Sequence, residues 1–555
     1  MRDQERPTRR EFLEVTTVLA GGVAGGLLVP PSVAGGSALF RETARGSLAS
    51  SSWSAGEVHH LLPTVSHDRI LLKASFRRPL VEPPSLRVNS RLASGRRRDT
   101  KGEFWEFDVA GLEPDRTYEL QILDRRRRSL CDPWPLTTFP APTERPQQFR
   151  LLVYTCAGGH DMGRDPETGQ LLWVPVPLRR KLLQAGLSWR PNAAIAIGDH
   201  VYWDLRAGRG ATWLGRSAGA ISQVGEFARD VPVLGTRNEA ILHLAVRPQI
   251  ADLYGTLFRS TPCFFVQDDH DYFENDHATD EIVTFPPDPF MLRLARATQR
   301  MYYPEYLPDS NRPSGLPSAG EEDRAPGVSE SFGTVRFGRL VEILTYDCRR
   351  YLTLAGPTAT FVPETVESWL RARMAAQETE HVVNLPSTPP GWTAGKWAEW
   401  YPDVLGPGGK LTTEQRKQYW QAGWAAQHDR LLGAACAMRG IPLFLSGDLH
   451  ALGVCGIHRT DQVDWRANPV VSVLTGPIST GPWAWPSTYR GTPPLVPNRL
   501  EVEERLAPVE RNGFSIVDFT PGRILIRFFS WKLGEPEAAL DAMTPFQSFE
   551  VERRE

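Results

Sequence analysis

Four apolar runs along this chain each end in a turn that delivers cation-binding groups. FRLLVYT (149–155) leads into Cys156, and AAIAI (193–197) stops at Gly198 and presents Asp199 and Tyr202. CFFVQ (263–267) leads into Asp268-Asp269-His270-Asp271, and IPLFLS (441–446) passes through Gly447 to Asp448 and His450. Short β-branched and aromatic runs bounded in this way read as buried strands. In α/β sheets the carboxyl ends of such strands converge on one crevice. Taken singly, each reads as something ordinary: Gly-Asp after a strand is a common turn, an acid cluster can be an ion-paired turn, and a lone strand-end histidine is usually a satisfied neighbour. Taken together they offer a thiolate, a phenolate, carboxylates and imidazoles, enough for two cations or more. Two metal ions about 3.5–4 Å apart clamp a phosphoryl group and activate a bound water.

The rest of the chain frames these runs. At 555 residues it has room for two or three domains, and 41% hydrophobic with 23% charged residues is ordinary for a globular enzyme. A formal net charge of −2 argues against a nucleic-acid or membrane-surface binder, and Arg125–Arg128 reads as a solvated turn. Six cysteines without a C-x-x-C pair indicate neither a zinc ribbon nor a disulfide scaffold. Residues 35–56, rich in Ser, Ala and Gly, read as a flexible lead-in. Over 57–140 the runs RILLKASF, FWEFDVAGL and RTYELQILD alternate as in a small antiparallel sandwich, and 141–148 is a linker. From 149 to 555 strands alternate with helical patterns, an α/β signature.

In that stretch a helix is expected over 177–189, helical periodicity broken by Pro248 over 237–260, and a helix near 290–301. Two strands are expected around Phe337-Gly338, opening a second, antiparallel sheet. An amphipathic surface helix is expected over 364–380, with Val366, Leu370 and Met374 on one face. Thr412 is expected to cap a helix running to Met438, and 513–531 to form a hairpin turning at Pro521-Gly522. Between them lies a Pro- and Gly-rich loop carrying Trp392, Trp397, Trp400 and Tyr401, which reads equally as a lid or as a Trp-anchored surface loop.

These motifs, in this order, resemble the metallophosphoesterase superfamily, and most closely its alkaline phosphatase D (PhoD-like) branch. Cys156-Ala157-Gly158 stands where the superfamily has Asp-x-His, and cysteine is expected there in the branch. Gly198-Asp199-His200-Val201-Tyr202 matches the second motif, Asp268-Asp269-His270-Asp271 the third, and Gly447-Asp448-Leu449-His450 the last. Tyr346-Asp347-Cys348-Arg349 is similar to the branch's Asp-x-Arg stretch. Gly111-Leu112-Glu113-Pro114 with Tyr118 resembles the tyrosine-corner stretch of fibronectin type III domains. Thr8-Arg9-Arg10-Glu11-Phe12-Leu13, followed by an apolar run to Val29, resembles a twin-arginine export signal over 1–34, too short and glycine-rich for a membrane span; a basic tail is the plainer reading.

The resemblance implies a four-layer α/β/β/α sandwich (class α/β, or α+β) preceded by a small all-β fibronectin type III-like domain. It implies Cys156, Asp199, Tyr202, Asp269, Asp448 and His450 as metal ligands, with Asp199 bridging, and His270 as the catalytic group facing substrate. Arg349 and Asn275 are implied as substrate contacts, although Asp347 and Arg349 could equally be a structural pair. Ferric iron with calcium is the implied metal pair; zinc or manganese would also suit. The implied activity is hydrolysis of phosphate monoesters or diesters by a metal-activated water. The implied protein is exported through the twin-arginine machinery to the periplasm or beyond, with no stable membrane span and no nucleic-acid partner. Three alternatives stay open: a diesterase for cell-wall polymers or phospholipid headgroups, a metal-binding scaffold without turnover, and a redox role for the iron.

Overall fold

Alternate residues of the apolar runs find two different apolar surroundings, and this parity builds the layers of the molecule. The structure is a computed structural model describing residues 53–161, 170–203, 224–225, 227–272, 287–319, 324–353, 356–394, 404–405, 411–412, 422–461, 463–485, 487–488 and 493–553. The expected export signal, most of the lead-in, and Asn275, Trp397, Trp400 and Tyr401 lie outside the described residues. Contacts divide the chain into Met1–Ser51, also outside them, and Ser52–Glu555, to which everything below refers.

The first strands form two four-stranded antiparallel sheets. One holds Val58–Val65, Arg69–Phe76, Phe104–Ala110 and Arg96–Arg97; the other holds Arg91–Ser94, Ser85–Val88, Thr117–Leu123 and Trp134–Thr137. The tyrosine corner is present, the Glu113 N–H donating to the Tyr118 hydroxyl oxygen at 2.7 Å.

Beyond the linker come β1 (Phe149–Thr155), α1 (Val176–Leu187), β2 (Ala193–Ile197), α2 (Arg237–Val246), β3 (Cys263–Val266) and α3 (Pro289–Tyr302). Next are β4 (Phe332–Phe337), β5 (Val341–Tyr346), α4 (Glu364–Ala376), β6 (His381–Pro386), α5 (Ala422–Cys436), β7 (Leu443–Ser446), β8 (Leu452–Thr460) and β9 (Val470–Thr475). The last are β10 (Leu500–Val509), β11 (Asn512–Thr520), β12 (Arg523–Trp531) and β13 (Gln547–Glu552). One six-stranded sheet runs β3-β2-β1-β11-β12-β13, with β1 to β3 parallel and the rest antiparallel. A seven-stranded sheet runs β4-β5-β6-β7-β9-β8-β10, with a parallel centre and antiparallel edges.

Leu151, Val153, Ile195, Ile197 and Phe264 of the first sheet share one apolar cluster with Ile343, Val383, Leu385, Leu443 and Leu445 of the second. Their neighbours of opposite parity, Leu152, Tyr154, Ala194, Ala196 and Phe444, belong to another cluster with Leu182 and Leu183 of α1 and Leu370 and Met374 of α4. A strand sends successive side chains to opposite faces, so two sheets pack face to face with helices outside. The fold is thus the expected four-layer α/β/β/α sandwich with a β-sandwich before it.

The structure corrects some local expectations. Leu411–Thr412 pairs antiparallel with Val404–Leu405, and α5 is described from Ala422; the start of the helix expected after Thr412 lies outside the described residues. α4 stops at Gln377, which takes a left-handed φ of 49°, so that 381–386 can enter the sheet as β6. α4 is also less a surface helix than expected, since Trp369 is buried beside Val366, Leu370 and Met374. Trp392 is buried and donates its indole N–H to Glu504 at 2.9 Å, which makes it an anchor of the second sheet.

The seam between the β-sandwich and α3 is polar and buried. Lys73, fully buried, donates to Glu106 at 2.5 Å and to the Arg300 carbonyl at 3.0 Å, and pairs with Glu305 at 2.8 Å. His60, equally buried, meets the Ser75 hydroxyl at 3.1 Å and the Tyr302 carbonyl at 2.6 Å. Burial pushes its imidazole down to about 3, against the pull of that carbonyl. Removing one member of a buried pair strands the others, so Lys73→Met is expected to cost about 3–5 kcal/mol in denaturant titration. The neutral His60 must gain a proton on unfolding at acid pH. Its contribution is therefore present above its unfolded value of 6.5 and is lost as pH falls from there toward 3, which His60→Gln should flatten in a stability-versus-pH series.

Candidate metal centre

The two sheets are stitched together at the end of β1. Thr155 N–H donates to Gly476 O at 2.9 Å, Ile478 N–H to Thr155 O at 3.0 Å, and Ser479 N–H to Cys156 O at 2.9 Å. A Cβ on Gly447 would stand 2.2 Å from Thr155 Oγ1, and one on Gly198, at φ +65°, 2.3 Å from the Asp268 Cβ. Only glycine lets these turns come so close. The ends of β1, β2 and β3 thereby meet the end of β7 from the other sheet.

Cys156 (φ 48°), Asp199 (52°), Asp448 (69°) and His450 (50°) all adopt the left-handed conformation. That costs an L residue roughly 1–2 kcal/mol, and a residue held there turns its side chain sharply off the strand direction. Strain of this kind gathers where function needs a particular direction.

Their side chains converge. Asp199 Oδ2 accepts from the Tyr202 hydroxyl at 2.8 Å and the Cys156 thiol at 3.1 Å, and lies 3.5 Å from His450 Nε2. His450 Nδ1 sits 3.0 Å from the Ala484 carbonyl. That contact suits a proton on Nδ1, while Nε2 lies 3.1 Å from the Tyr202 hydroxyl. The rings of Tyr202 and His270 are 4.4 Å apart, and those of Tyr202 and Trp173 4.1 Å. Arg349 donates to Asp268 at 2.6 Å and to Asp448 at 3.0 Å. The Asp347 carboxylate does not hold the Arg349 guanidinium in these contacts; it accepts the backbone N–H groups of Arg349 and Arg350 at 2.8 and 3.0 Å and the Tyr272 hydroxyl.

In the crevice three sets of candidate donor atoms each lie within 4.8 Å of one another: Cys156, Asp199 and His450; Asp199, Asp269 and His270; and Asp268, Asp269 and Asp448; a fourth set among the described residues, Asp99, Glu239 and His243, lies elsewhere. Asp199 and Asp269 each belong to two sets. The site residues expected from the sequence that lie among the described residues stand together here; Asn275 lies outside them. The structure adds Asp268, whose signal was its place in the run Asp268–Asp271.

Other residues escaped sequence reasoning because they act by clamping loops. Arg179 of α1, fully buried, donates to the carbonyls of Ala157 (2.8 Å), Gly158 (2.9 Å) and Gly159 (2.9 Å). Gln249 accepts from the N–H groups of Gly159 (2.7 Å) and Tyr202 (2.9 Å), so one amide sets two loops. Asp271 accepts from the N–H groups of His200 (2.8 Å), Val201 (3.1 Å) and Asp268 (2.9 Å). Nothing in sequence spacing marks Arg179 or Gln249.

The electrostatics of the cluster fit cations. Burial, and then the nearby Asp199 carboxylate, push the Cys156 thiol and the Tyr202 phenol well above their ordinary ranges. Burial likewise raises Asp268, against the opposing Arg349 charge. Asp199 goes the other way: burial disfavours its charge, but the His270 and His450 imidazoles hold it below the usual carboxylate range. Asp199 Oδ1 and Asp268 Oδ2 are buried and have no hydrogen-bond partner among the described residues. Buried acceptors are ordinarily satisfied, and a thiol and phenol that keep their protons become ligands once a cation stabilises the anions.

No family model and no curated protein matches the chain. Solved structures do. That of PhoD aligns with a TM-score of 0.55 and 13% identity over 90% of this chain and 91% of the other. That of a purple acid phosphatase from yellow lupin (Lupinus luteus) seeds aligns with a TM-score of 0.50 and 11% identity over 89% and 74%. The fold defined by these likenesses is that of the metallophosphoesterases. Because the crevice depends on glycine at the end of β7, Gly447→Ala should lower stability by about 1–3 kcal/mol in denaturant titration.

Proposed function

We propose that the chain is a metal-dependent phosphoesterase whose centre is the cluster at the ends of β1, β2, β3 and β7. The observation that carries this reading is the pair of buried carboxylate oxygens without hydrogen-bond partners, Asp199 Oδ1 and Asp268 Oδ2, within overlapping sets of donor atoms. Likeness in fold to PhoD and to a purple acid phosphatase supports it.

Cys156, Asp199, Tyr202, Asp269, Asp448 and His450 would hold two cations, with Asp199 shared. Thiolate and phenolate favour a trivalent or soft ion and the carboxylates a hard one, so ferric iron with calcium is the proposed pair, with zinc or manganese as the alternatives. When bound, the metals supply an activated water and neutralise charge on the phosphoryl group.

The chain's own groups do the remainder. His270, against the face of Tyr202, delivers a proton to the leaving oxygen. Arg349, already among the site carboxylates, offers a planar fork to a phosphate oxygen. The contact of His450 Nδ1 with Ala484 O fixes the imidazole's orientation. The Asp199 carboxylate, held ionised by its neighbours, remains a ligand across neutral pH. We extend the proposal to export by a twin-arginine signal over 1–34, and to the division 35–56, 57–140, 141–148 and 149–555.

Hydrolysis of a chromogenic phosphate monoester and its matching diester, with metal analysis of each sample, tests the assignment. Asp199→Ala should lose both metal and turnover. His270→Ala should keep metal while kcat falls by about 10²–10⁴-fold, the usual worth of a general acid. If ferric iron is bound, Tyr202→Phe should bleach a visible absorption band. A fully metallated wild type that turns over neither ester overturns the reading.

A further inference from the structure

Far from the crevice, one end of the β-sandwich carries an apolar tip set among arginines. The loop Arg77-Arg78-Pro79-Leu80-Val81-Glu82-Pro83-Pro84 leaves the strand Arg69–Phe76, and its Val81 is 93% exposed, the most exposed large apolar side chain among the described residues. Three prolines restrict the loop. Leu80 N–H donates to Gly102 O at 2.8 Å, and a Cβ on Gly102 would stand 2.4 Å from Leu80 O, so the loop's base is pinned while its tip projects.

Beside it is the hairpin turn Asp124-Arg125-Arg126-Arg127-Arg128, tied to the loop by the pair Arg125–Glu82. The turn closes through Arg127 N–H to Asp124 O (2.9 Å) and Arg128 N–H to Asp124 Oδ1 (2.8 Å). Its tip residue, Arg127, sits at φ 61°, where glycine or asparagine is the low-strain choice. Four arginines in a row, one of them in a conformation that arginine disfavours, mark charge kept at a local cost.

The two segments carry six exposed arginines and only two carboxylates, Glu82 and Asp124. Those two are answered by Arg125 and Arg128, and among the described residues Arg77, Arg78, Arg126 and Arg127 have no ion pair; Arg77 donates to the Gly56 carbonyl. The chain's net charge of −2 is a sum over the whole molecule and hides this local excess.

We propose that this end of the β-sandwich docks on an anionic lipid surface, with Val81 entering the headgroup boundary and the arginines engaging lipid phosphates. An apolar residue standing clear of the protein between basic residues has nothing to gain from a soluble polyanion but is stabilised at a headgroup boundary. Juxtaposed arginines gain there too, by about fivefold in affinity per charge. The Thr100 N–H beside the loop donates to Glu239 of α2, at 2.8 Å. α2 then runs roughly 15 Å toward Gln249, the clamp on the Tyr202 loop. The tip and the crevice share no residue, and the proposal stands whether or not the centre hydrolyses phosphate esters.

The test is sedimentation of the full chain with phosphatidylglycerol–phosphatidylcholine vesicles and with phosphatidylcholine vesicles alone. The wild type should bind the anionic vesicles better, and less as salt rises. Arg126→Glu with Arg127→Glu should lower that binding by at least about 25-fold. Val81→Asp should weaken it severalfold, with an unchanged thermal midpoint in both variants as the check on folding. The apolar run at 15–29 is common to all the proteins, so binding equal in wild type and variants would assign attachment to that run and overturn the proposal. Binding unaffected by Val81→Asp, lost in the arginine variant and competed by inorganic polyphosphate would overturn it in favour of a soluble polyanion.

Discussion

Asp199, Asp268, Asp269, Asp271 and Asp448 crowd into the place where two β-sheets meet, and much of the surrounding structure exists to hold them there. All but Asp448 are nearly inaccessible to water. Carboxylates this close cannot all be charged without compensation. The protein supplies part of it from within: Arg349 bridges Asp268 and Asp448, two imidazoles flank Asp199, and three backbone N–H groups answer Asp271. Asp199 Oδ1 and Asp268 Oδ2 receive nothing. The remaining demand is for positive charge inside the crevice, which is the property a cation site must have.

Holding such a cluster requires that the backbone be forced, and the force comes from the packing of the layers. Four of the candidate ligands sit at positive φ, and two glycines accept contacts that no Cβ could. Neither would persist in a loop free to relax. The loops here are fixed because each strand end is bonded into a sheet on one side and clamped on the other. The clamps are Arg179 on the Cys156 loop, Gln249 between that loop and Tyr202, and Asp271 between the ends of β2 and β3. Strain at the ligands and over-determination by the clamps are two sides of one arrangement.

What could be read from the sequence divides along the same line. The strands β1, β2, β3 and β7 were legible because each is a short apolar run ending in its own chemistry, so run and ligand are contiguous. The hairpin β11–β12 announced itself by Pro521-Gly522. β6 did not, because HVVNLP follows a helix after a few polar residues and is recognisable only from its partners β5 and β7. β8, β9 and β10 were missed for the same reason, their pairing being long-range. Leu411–Thr412 also pairs with Val404–Leu405, a long-range contact that the local Thr-Thr-Glu signal does not announce. Arg179 and Gln249 read as ordinary helical residues, since their partners lie some tens of positions away and a buried guanidinium makes no mark on periodicity.

The β-sandwich, which by sequence carried no chemistry, is bound to the same charge logic. Lys73 pairs with Glu106 and Glu305; Arg296 reaches Glu305 and Glu330; Glu330 takes Arg350; and the backbone of Arg350 and Arg349 is held by Asp347. Arg349 then meets Asp268 and Asp448. All but one of the steps are largely buried ion pairs, which gain strength from low dielectric but are costly when broken, and the step through Asp347 is a pair of backbone hydrogen bonds. A continuous path of compensated charge therefore runs from the sandwich to the crevice. Such a path does not by itself establish energetic coupling. It does establish that detaching the sandwich would take Lys73 from Glu305 and leave that buried carboxylate to Arg296 alone, which ties the sandwich to the network on which Arg349 rests.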